Sequence, residues 1–170
     1  CAGLLVMVTA GLRAEPQVTL VAEGEPRAVI VLADRPTRSA QLAARELQHH
    51  IQLITGARLS VTNETGRAPG LFPLFLGGTR AAAEMGLYGH TFLPQEYALA
   101  VNDARAVLVG LDDQDFGSIS YEANGAWPGI DFDSARFQVG TLYAVYDFLE
   151  RECGVRWYMV TEGGTVFDQQ

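Results

Sequence analysis

The sequence predicts an α+β fold in which two main helices pack on one face of a mixed or largely antiparallel β-sheet. Short β-branched runs recur along the chain, and two longer segments carry apolar residues at helical spacing. The order strands, helix, strands, helix, strand is typical of a helical layer on a sheet. With 170 residues, of which 48% are hydrophobic and 19% charged, the chain can bury one substantial core.

The chain begins its regular structure with two β-branched runs. Residues 17–23 and 27–33 lie on either side of a turn-like Gly-Glu-Pro, which predicts an early hairpin. A helix follows, for which Thr37 or Ser39 can serve as the cap and Gly56 as the end. Its apolar residues recur three and four apart, at Ala40, Ala43, Leu47, Ile51 and Ile54.

The middle of the chain alternates between short strands and turns. Residues 57–63 alternate as a strand, and residues 71–78 form an apolar run in which Pro73 favours a sheet edge or a strand start. A short helix is predicted for residues 79–86. The clearest hairpin joins residues 96–103 to residues 104–112 through a tight turn at Asn102 and Asp103.

The closing unit, residues 140–158, reads GTLYAVYDFLERECGVRWY and predicts a helix that ends at Gly154, followed by a strand. Its apolar face contains Leu142, Val145, Tyr146 and Leu149, followed by Cys153. The opposite face, expected in solvent, carries Asp147, Glu150 and Arg151. Residues 112–137, rich in Asp, Gly and Ser, are predicted to be a long loop that lines a site or contacts another domain.

Charge and cysteine content exclude several classes of protein. The net charge of −8 and a pI near 4.8 argue against nucleic acid as a partner, because phosphate binding needs a basic surface. The two cysteines, Cys1 and Cys153, do not form the basis of a disulfide framework. Nothing in the sequence indicates a cofactor.

The first fourteen residues predict export. They contain an apolar run, residues 2–12, of about the length of a signal-peptide core, which is too short for a membrane span of roughly 20 residues. We therefore expect residues 1–14 to be a truncated signal peptide and residues 15–167 to be the domain. A buried N-terminal strand or helix is the alternative.

Candidate metal and anion sites have weak support. His49 and His50 are adjacent on a helix and point about 100° apart, so they are expected to be surface or interface residues rather than ligands of one metal. Asp112, Asp113 and Asp115 offer oxygens suited to calcium, but their spacing does not match an EF-hand, and a solvated acidic loop is favoured over another type of calcium site. Residues 77–79, Gly-Gly-Thr, could seat an anion or form a tight strand-to-helix turn.

The long loop and the final strand carry the remaining candidates. Asp131 and Asp133, with Glu122 nearby in the sequence, could act as paired carboxylates in glycoside hydrolysis, but nothing fixes their separation. Exposed aromatic rings can stack on sugars or on a partner domain. Trp127 is expected at the surface and Trp157 in the core. The predicted carbohydrate or domain-interface contacts are Tyr121, Trp127, Asp131, Asp133, Trp157 and Tyr158.

Four segments together resemble a known family. They are residues 43–61, 74–87, 96–103 and 140–158, and the last is the most specific, through LYAVYDFLE and GVRWY. These segments resemble the N-terminal domain of α-glucuronidase-type glycoside hydrolases, which is similar to the domain that precedes the barrel in β-N-acetylhexosaminidases. The resemblance covers most of residues 17–166.

The resemblance implies a non-catalytic role. In that family the domain is a sheet with two helices on one side, and the catalytic carboxylates belong to a TIM barrel that follows in the chain. No catalytic residue is therefore assigned here, and residues 168–170 are expected to begin a linker to such a barrel. Two alternatives stay open: a stand-alone carbohydrate-binding or cell-surface module that uses Tyr121 and Trp127, and a small enzyme that uses Asp131 and Asp133.

Overall fold

A five-stranded mixed sheet forms the centre of the protein. The structure is a computed structural model that describes residues 18–67, 69–119, 138–157 and 165–166. The strands of the central sheet are β3 (Ala28–Leu32), β4 (Ser60–Asn63), β5 (Phe72–Leu76), β6 (Tyr97–Val101) and β7 (Ala106–Gly110). Their order is β4-β3-β5-β7-β6, and every neighbouring pair is parallel except β7 with β6. The α+β prediction is confirmed, with the mixed form of the sheet.

Two long helices, α1 (Arg38–Thr55) and α3 (Gly140–Glu152), lie together on one face of this sheet, as predicted. Thr37 caps α1, because its Oγ1 accepts a hydrogen bond of 3.1 Å from the Ala40 N–H. Gly56 ends α1 in the left-handed region, at φ 75°. A short helix, α2 (Arg80–Glu84), packs on the opposite face of the sheet.

Alternation along the strands separates two hydrophobic cores. On the α1 and α3 side, Ile30, Leu74 and Leu108 pack with the apolar faces of the two long helices. On the other side, Val31 and Phe75 belong to a smaller cluster with α2. Both faces of the central strands are thus covered, which is usual where neighbouring strands run parallel.

The predicted early hairpin is wrong in its extent. Within the described part of this hairpin, the antiparallel pairing joins the two-residue strands β1 (Val21–Ala22) and β2 (Glu25–Pro26), around a turn in which Glu23 and Gly24 both have positive φ. Such a turn matches the twist of a two-stranded ribbon. The following strand β3 is buried along its whole length and pairs in parallel with β4 and β5, because its apolar residues fit the centre of the sheet.

Pro73 lies at a strand start rather than at a sheet edge. It is the second residue of the central strand β5, and the pairing of β5 with β7 begins one residue later, at Leu74. The Phe72 N–H donates to Arg27 O on the β3 side, so the missing N–H of Pro73 faces β7 before that pairing begins. The strand-start alternative is therefore the one found.

The hairpin of β6 and β7 is confirmed. The two strands are antiparallel, with Tyr97 opposite Gly110 and Val101 opposite Ala106. Asn102 orders the turn, since its Oδ1 accepts hydrogen bonds from the backbone N–H groups of Ala104 and Arg105.

No helix in the described ranges is long and apolar enough to cross a membrane. The predicted signal segment, residues 1–14, and the predicted linker, residues 168–170, lie outside the described residues.

Candidate interaction site

Of the six predicted contact residues, Trp157 is the one that lies within the described residues. It lies in β8 (Arg156–Trp157), which pairs in antiparallel fashion with β9 (Thr165–Val166). The side chain is 36% exposed, so the expectation that Trp157 belongs to the core is wrong. The reason is that β8 forms a separate two-stranded ribbon and does not enter the central sheet. The other predicted contacts lie outside the described residues: Tyr121, Trp127, Asp131, Asp133 and Tyr158.

The Trp157 ring connects this ribbon to the two long helices. Its centroid lies 5.5 Å from that of His50 on α1, at an interplanar angle of 72°. It lies 5.3 Å from that of Tyr146 on α3, at 65°. Both are edge-to-face contacts, the arrangement that the charge distribution of aromatic rings favours. Trp157 thus packs at the junction of α1 and α3.

Polar groups lie beneath the Trp157 ring. The Tyr146 hydroxyl donates a 3.3 Å hydrogen bond to Oε2 of the buried Glu46, and His50 Nδ1 lies 2.9 Å from the Glu46 backbone oxygen. Burial lowers the pKa of His50, although the Glu46 carbonyl and carboxylate act in the opposite direction. His50 is therefore neutral near pH 7. Of the two histidines expected at the surface or an interface, His49 is exposed and His50 is buried.

Sequence reasoning missed Glu46 and His50 as a pair. The two residues are four apart on α1, which places them on the same side of the helix. That four-residue spacing is visible in the sequence and is the signal that could have identified the pair. The contribution of Tyr146, a hundred residues from Glu46, has no local signal in the sequence.

Two large apolar side chains are exposed one helical turn from the residues that contact Trp157. Leu53, 42% exposed, lies one turn after His50 on α1, and Tyr143 lies one turn before Tyr146 on α3. Val166 of the ribbon strand β9 is also exposed, but it pairs with Arg156 and therefore lies on the face of the ribbon opposite to Trp157. We call Leu53, Tyr143 and Trp157 the helix-side apolar surface. An arrangement of this kind suits contact with another protein surface.

Asp112 is buried, so the prediction of a solvated acidic loop is wrong at this residue. It follows β7, and its carboxylate accepts hydrogen bonds from Thr37 Oγ1 at 3.0 Å, Ser39 Oγ at 2.9 Å and the Thr141 N–H at 2.9 Å. Burial raises the pKa of Asp112, and these hydrogen bonds partly offset the effect. One side chain therefore connects the first turns of α1 and α3, where helix dipoles favour a carboxylate.

The neighbouring carboxylates also have partners within the protein. Asp113 Oδ2 accepts a 3.0 Å hydrogen bond from the Gln138 N–H. Asp115 accepts from the Gly117 N–H and pairs with Arg38 at 3.1 Å, and both interactions lower the pKa of Asp115. Within the described ranges, no group of three or more His, Cys, Asp or Glu side chains is placed to hold a metal ion.

The Gly-Gly-Thr segment forms a tight turn. Gly77 has φ 77°, and a Cβ there would lie 2.9 Å from the Cβ of Ala40, so the turn needs glycine for conformation and for space. The Glu64 carboxylate accepts hydrogen bonds from the N–H groups of Arg80 and Ala81 at 2.9 and 3.3 Å. The Glu64 carboxylate therefore occupies the position at the start of α2 where the sequence offered a site for an external anion.

Comparison with known proteins adds no assignment. No protein-family model matches the chain, and no curated protein matches it. A functional interpretation therefore depends on the geometry of the described residues and on the resemblance of the segments given above.

Proposed function

We propose that this domain is a non-catalytic accessory domain of a secreted, α-glucuronidase-like glycoside hydrolase, and that it braces a TIM-barrel catalytic domain that follows it in the natural chain. The observation that carries this proposal is the helix-side apolar surface of Leu53, Tyr143 and Trp157. The resemblance of residues 140–158 supports it, because α3 and β8 supply Tyr143 and Trp157.

A structural role fits the ionisable groups that are buried in the described ranges. Asp112 holds the first turns of α1 and α3 together, and Glu46 lies among the rings at the helix junction. Burial raises the pKa of the Cys153 thiol to about 12, with a further contribution from Glu152, so this cysteine is not a thiolate nucleophile near pH 7. These groups stabilise the scaffold and give no support to a catalytic role.

The composition of the helix-side apolar surface favours a protein domain over a sugar as its partner. Sugar rings stack on exposed aromatic faces, whereas Leu53 is aliphatic. The Trp157 ring already makes edge-to-face contacts with two other rings. Interfaces between domains combine aliphatic and aromatic side chains in this way.

The proposal is tested with two charge-introducing variants of the isolated domain. Leu53→Glu places a charge on the helix-side apolar surface, and Leu93→Glu is the matched control, because Leu93 is 70% exposed and lies outside that surface. Binding of each variant to the separately produced barrel, which the proposal places after this domain, is measured by calorimetry. We expect Leu53→Glu to weaken binding at least tenfold, by about 1.4 kcal/mol or more, and Leu93→Glu to bind as the wild type does.

Two results would contradict the proposal. Equal binding by the wild type and Leu53→Glu would place the interface elsewhere. Glycan binding by the isolated domain that is lost in Trp127→Ala, with no binding to the barrel, would favour the stand-alone carbohydrate-binding module.

A further inference from the structure

A groove runs beside the outer strand of the central sheet. In the described part of the chain, β4 pairs with β3 alone, so its other edge has no strand partner there. The groove, of about 420 Å³, lies between this edge and α1. Its walls are formed by Arg45 and Gln48 of α1 and by Arg58, Leu59, Ser60 and Val61.

The backbone of β4 offers pairing groups to this groove. The Glu64 N–H donates to Leu32 O at 3.0 Å, which directs Glu64 towards β3. Because successive residues of a strand alternate, the N–H and C=O groups of Leu59 and Val61 point away from β3, towards the open edge. Gln48 Nε2 donates a 2.6 Å hydrogen bond to Leu59 O. A side-chain amide thus occupies the place that the N–H of an added strand would take, and Val61 is the next outward-facing residue.

The groove is basic although the protein is acidic. The chain has no lysine, and its twelve arginines are outnumbered by acidic residues, for a net charge of −8. Five described arginines form ion pairs with carboxylates: Arg38, Arg80, Arg105, Arg151 and Arg156. Arg45 and Arg58 form none with the described residues, and Arg58 Nη2 contacts Gln48 Oε1 at 3.5 Å. One exposed guanidinium thus comes from each wall of the groove.

We propose that this groove binds an extended acidic polypeptide segment, which adds a strand to β4 and places carboxylates against Arg45 and Arg58. The outward-facing N–H and C=O of Val61 provide the backbone hydrogen bonds, and the two walls provide charge complementarity. In an added strand, every second side chain points to the same face, so alternating acidic residues face α1 together. This inference concerns the edge of the sheet and does not depend on the interface proposed for Leu53 and Trp157.

The choice of a peptide follows from the two kinds of group that the groove combines. A small anion would use the guanidinium groups and leave the outward N–H and C=O of Val61 without a role. An uncharged strand would pair with β4 but leave Arg45 and Arg58 unneutralised. An acidic extended segment uses both sets of groups.

The test uses a blocked decapeptide of alternating valine and glutamate, labelled for fluorescence anisotropy. We expect binding that weakens with added salt and at least a tenfold loss in the double variant Arg45→Gln/Arg58→Gln. The matched control is Arg35→Gln/Arg67→Gln, which removes the same charge outside the groove and should bind normally. Because all four arginines are exposed and none of them forms an ion pair with a described carboxylate, circular dichroism spectra of the variants should match the wild type.

A second peptide separates strand addition from simple charge attraction. It has the same sequence with alternate backbone nitrogens methylated, which removes the donors needed for pairing. We expect this peptide to bind at least tenfold more weakly, and the unmodified peptide to protect the Val61 N–H from hydrogen exchange. Equal binding of the two peptides, equal losses in the two double variants, or no binding of the acidic peptide would each overturn the proposal.

Discussion

Removal of the Asp112 side chain should loosen the contact between α1 and α3. The carboxylate accepts three hydrogen bonds, from Ser39, Thr37 and Thr141, all between 2.9 and 3.0 Å. At about 1–1.5 kcal/mol net for each, Asp112→Ala should lower the free energy of unfolding by roughly 3–5 kcal/mol. This is a large part of the 5–15 kcal/mol that is typical of a domain.

Asp112→Asn is the matched variant, because it keeps the shape of the side chain and one oxygen that can still accept the hydrogen bonds from Ser39 and Thr141. Burial raises the pKa of Asp112, which means that the site disfavours the charged form and that loss of the charge is inexpensive. We expect Asp112→Asn to cost about 1 kcal/mol or less. Because the folded pKa is raised, the stability of the wild type relative to Asp112→Asn should fall as the pH rises above about 3.8.

Urea unfolding followed by circular dichroism measures both variants. The transition should shift strongly for Asp112→Ala and slightly for Asp112→Asn, with an unchanged slope. A loss below 1 kcal/mol for Asp112→Ala would refute the view that this carboxylate joins the helices. A loss for Asp112→Asn as large as that for Asp112→Ala would refute the argument about its charge.

Two further predictions concern the packing around α1. Gly77→Ala should cost about 2 kcal/mol in thermal unfolding, since φ is 77° and the new Cβ would lie 2.9 Å from Ala40, whereas Gly78→Ala, with open space around it, should be neutral. The free energy of unfolding should fall below about pH 6.5, by up to about 1.4 kcal/mol per pH unit, because the unfolded chain protonates His50 more readily than the folded protein does. His50→Gln should reduce this slope, and an unchanged slope in His50→Gln would contradict the assignment.

Local patterns in the sequence predicted the elements whose causes are local. The helix from Thr37 to Gly56 follows from a capping hydroxyl, apolar residues three and four apart and a glycine that adopts positive φ. The β6 and β7 hairpin follows from alternation on either side of the Asn102 turn. These signals lie within a few residues of the structure that they determine.

Features that depend on distant partners could not be predicted in the same way. The burial of Asp112 depends on Ser39, which is 73 residues away. The parallel pairing of β3 with β5 joins two strands that α1 and β4 separate in the sequence. Trp157 is exposed because its strand pairs within a small ribbon outside the central sheet. Aromatic and β-branched composition cannot distinguish such a ribbon from a core strand.

Our central proposal is that this domain supports a catalytic barrel and has no hydrolytic chemistry of its own. The most direct measurement compares the hydrolysis of aryl glycosides by the isolated domain and by an extended chain in which the proposed barrel follows this domain. The extended chain should hydrolyse a substrate while the isolated domain shows no turnover. Turnover by the isolated domain alone would contradict the account.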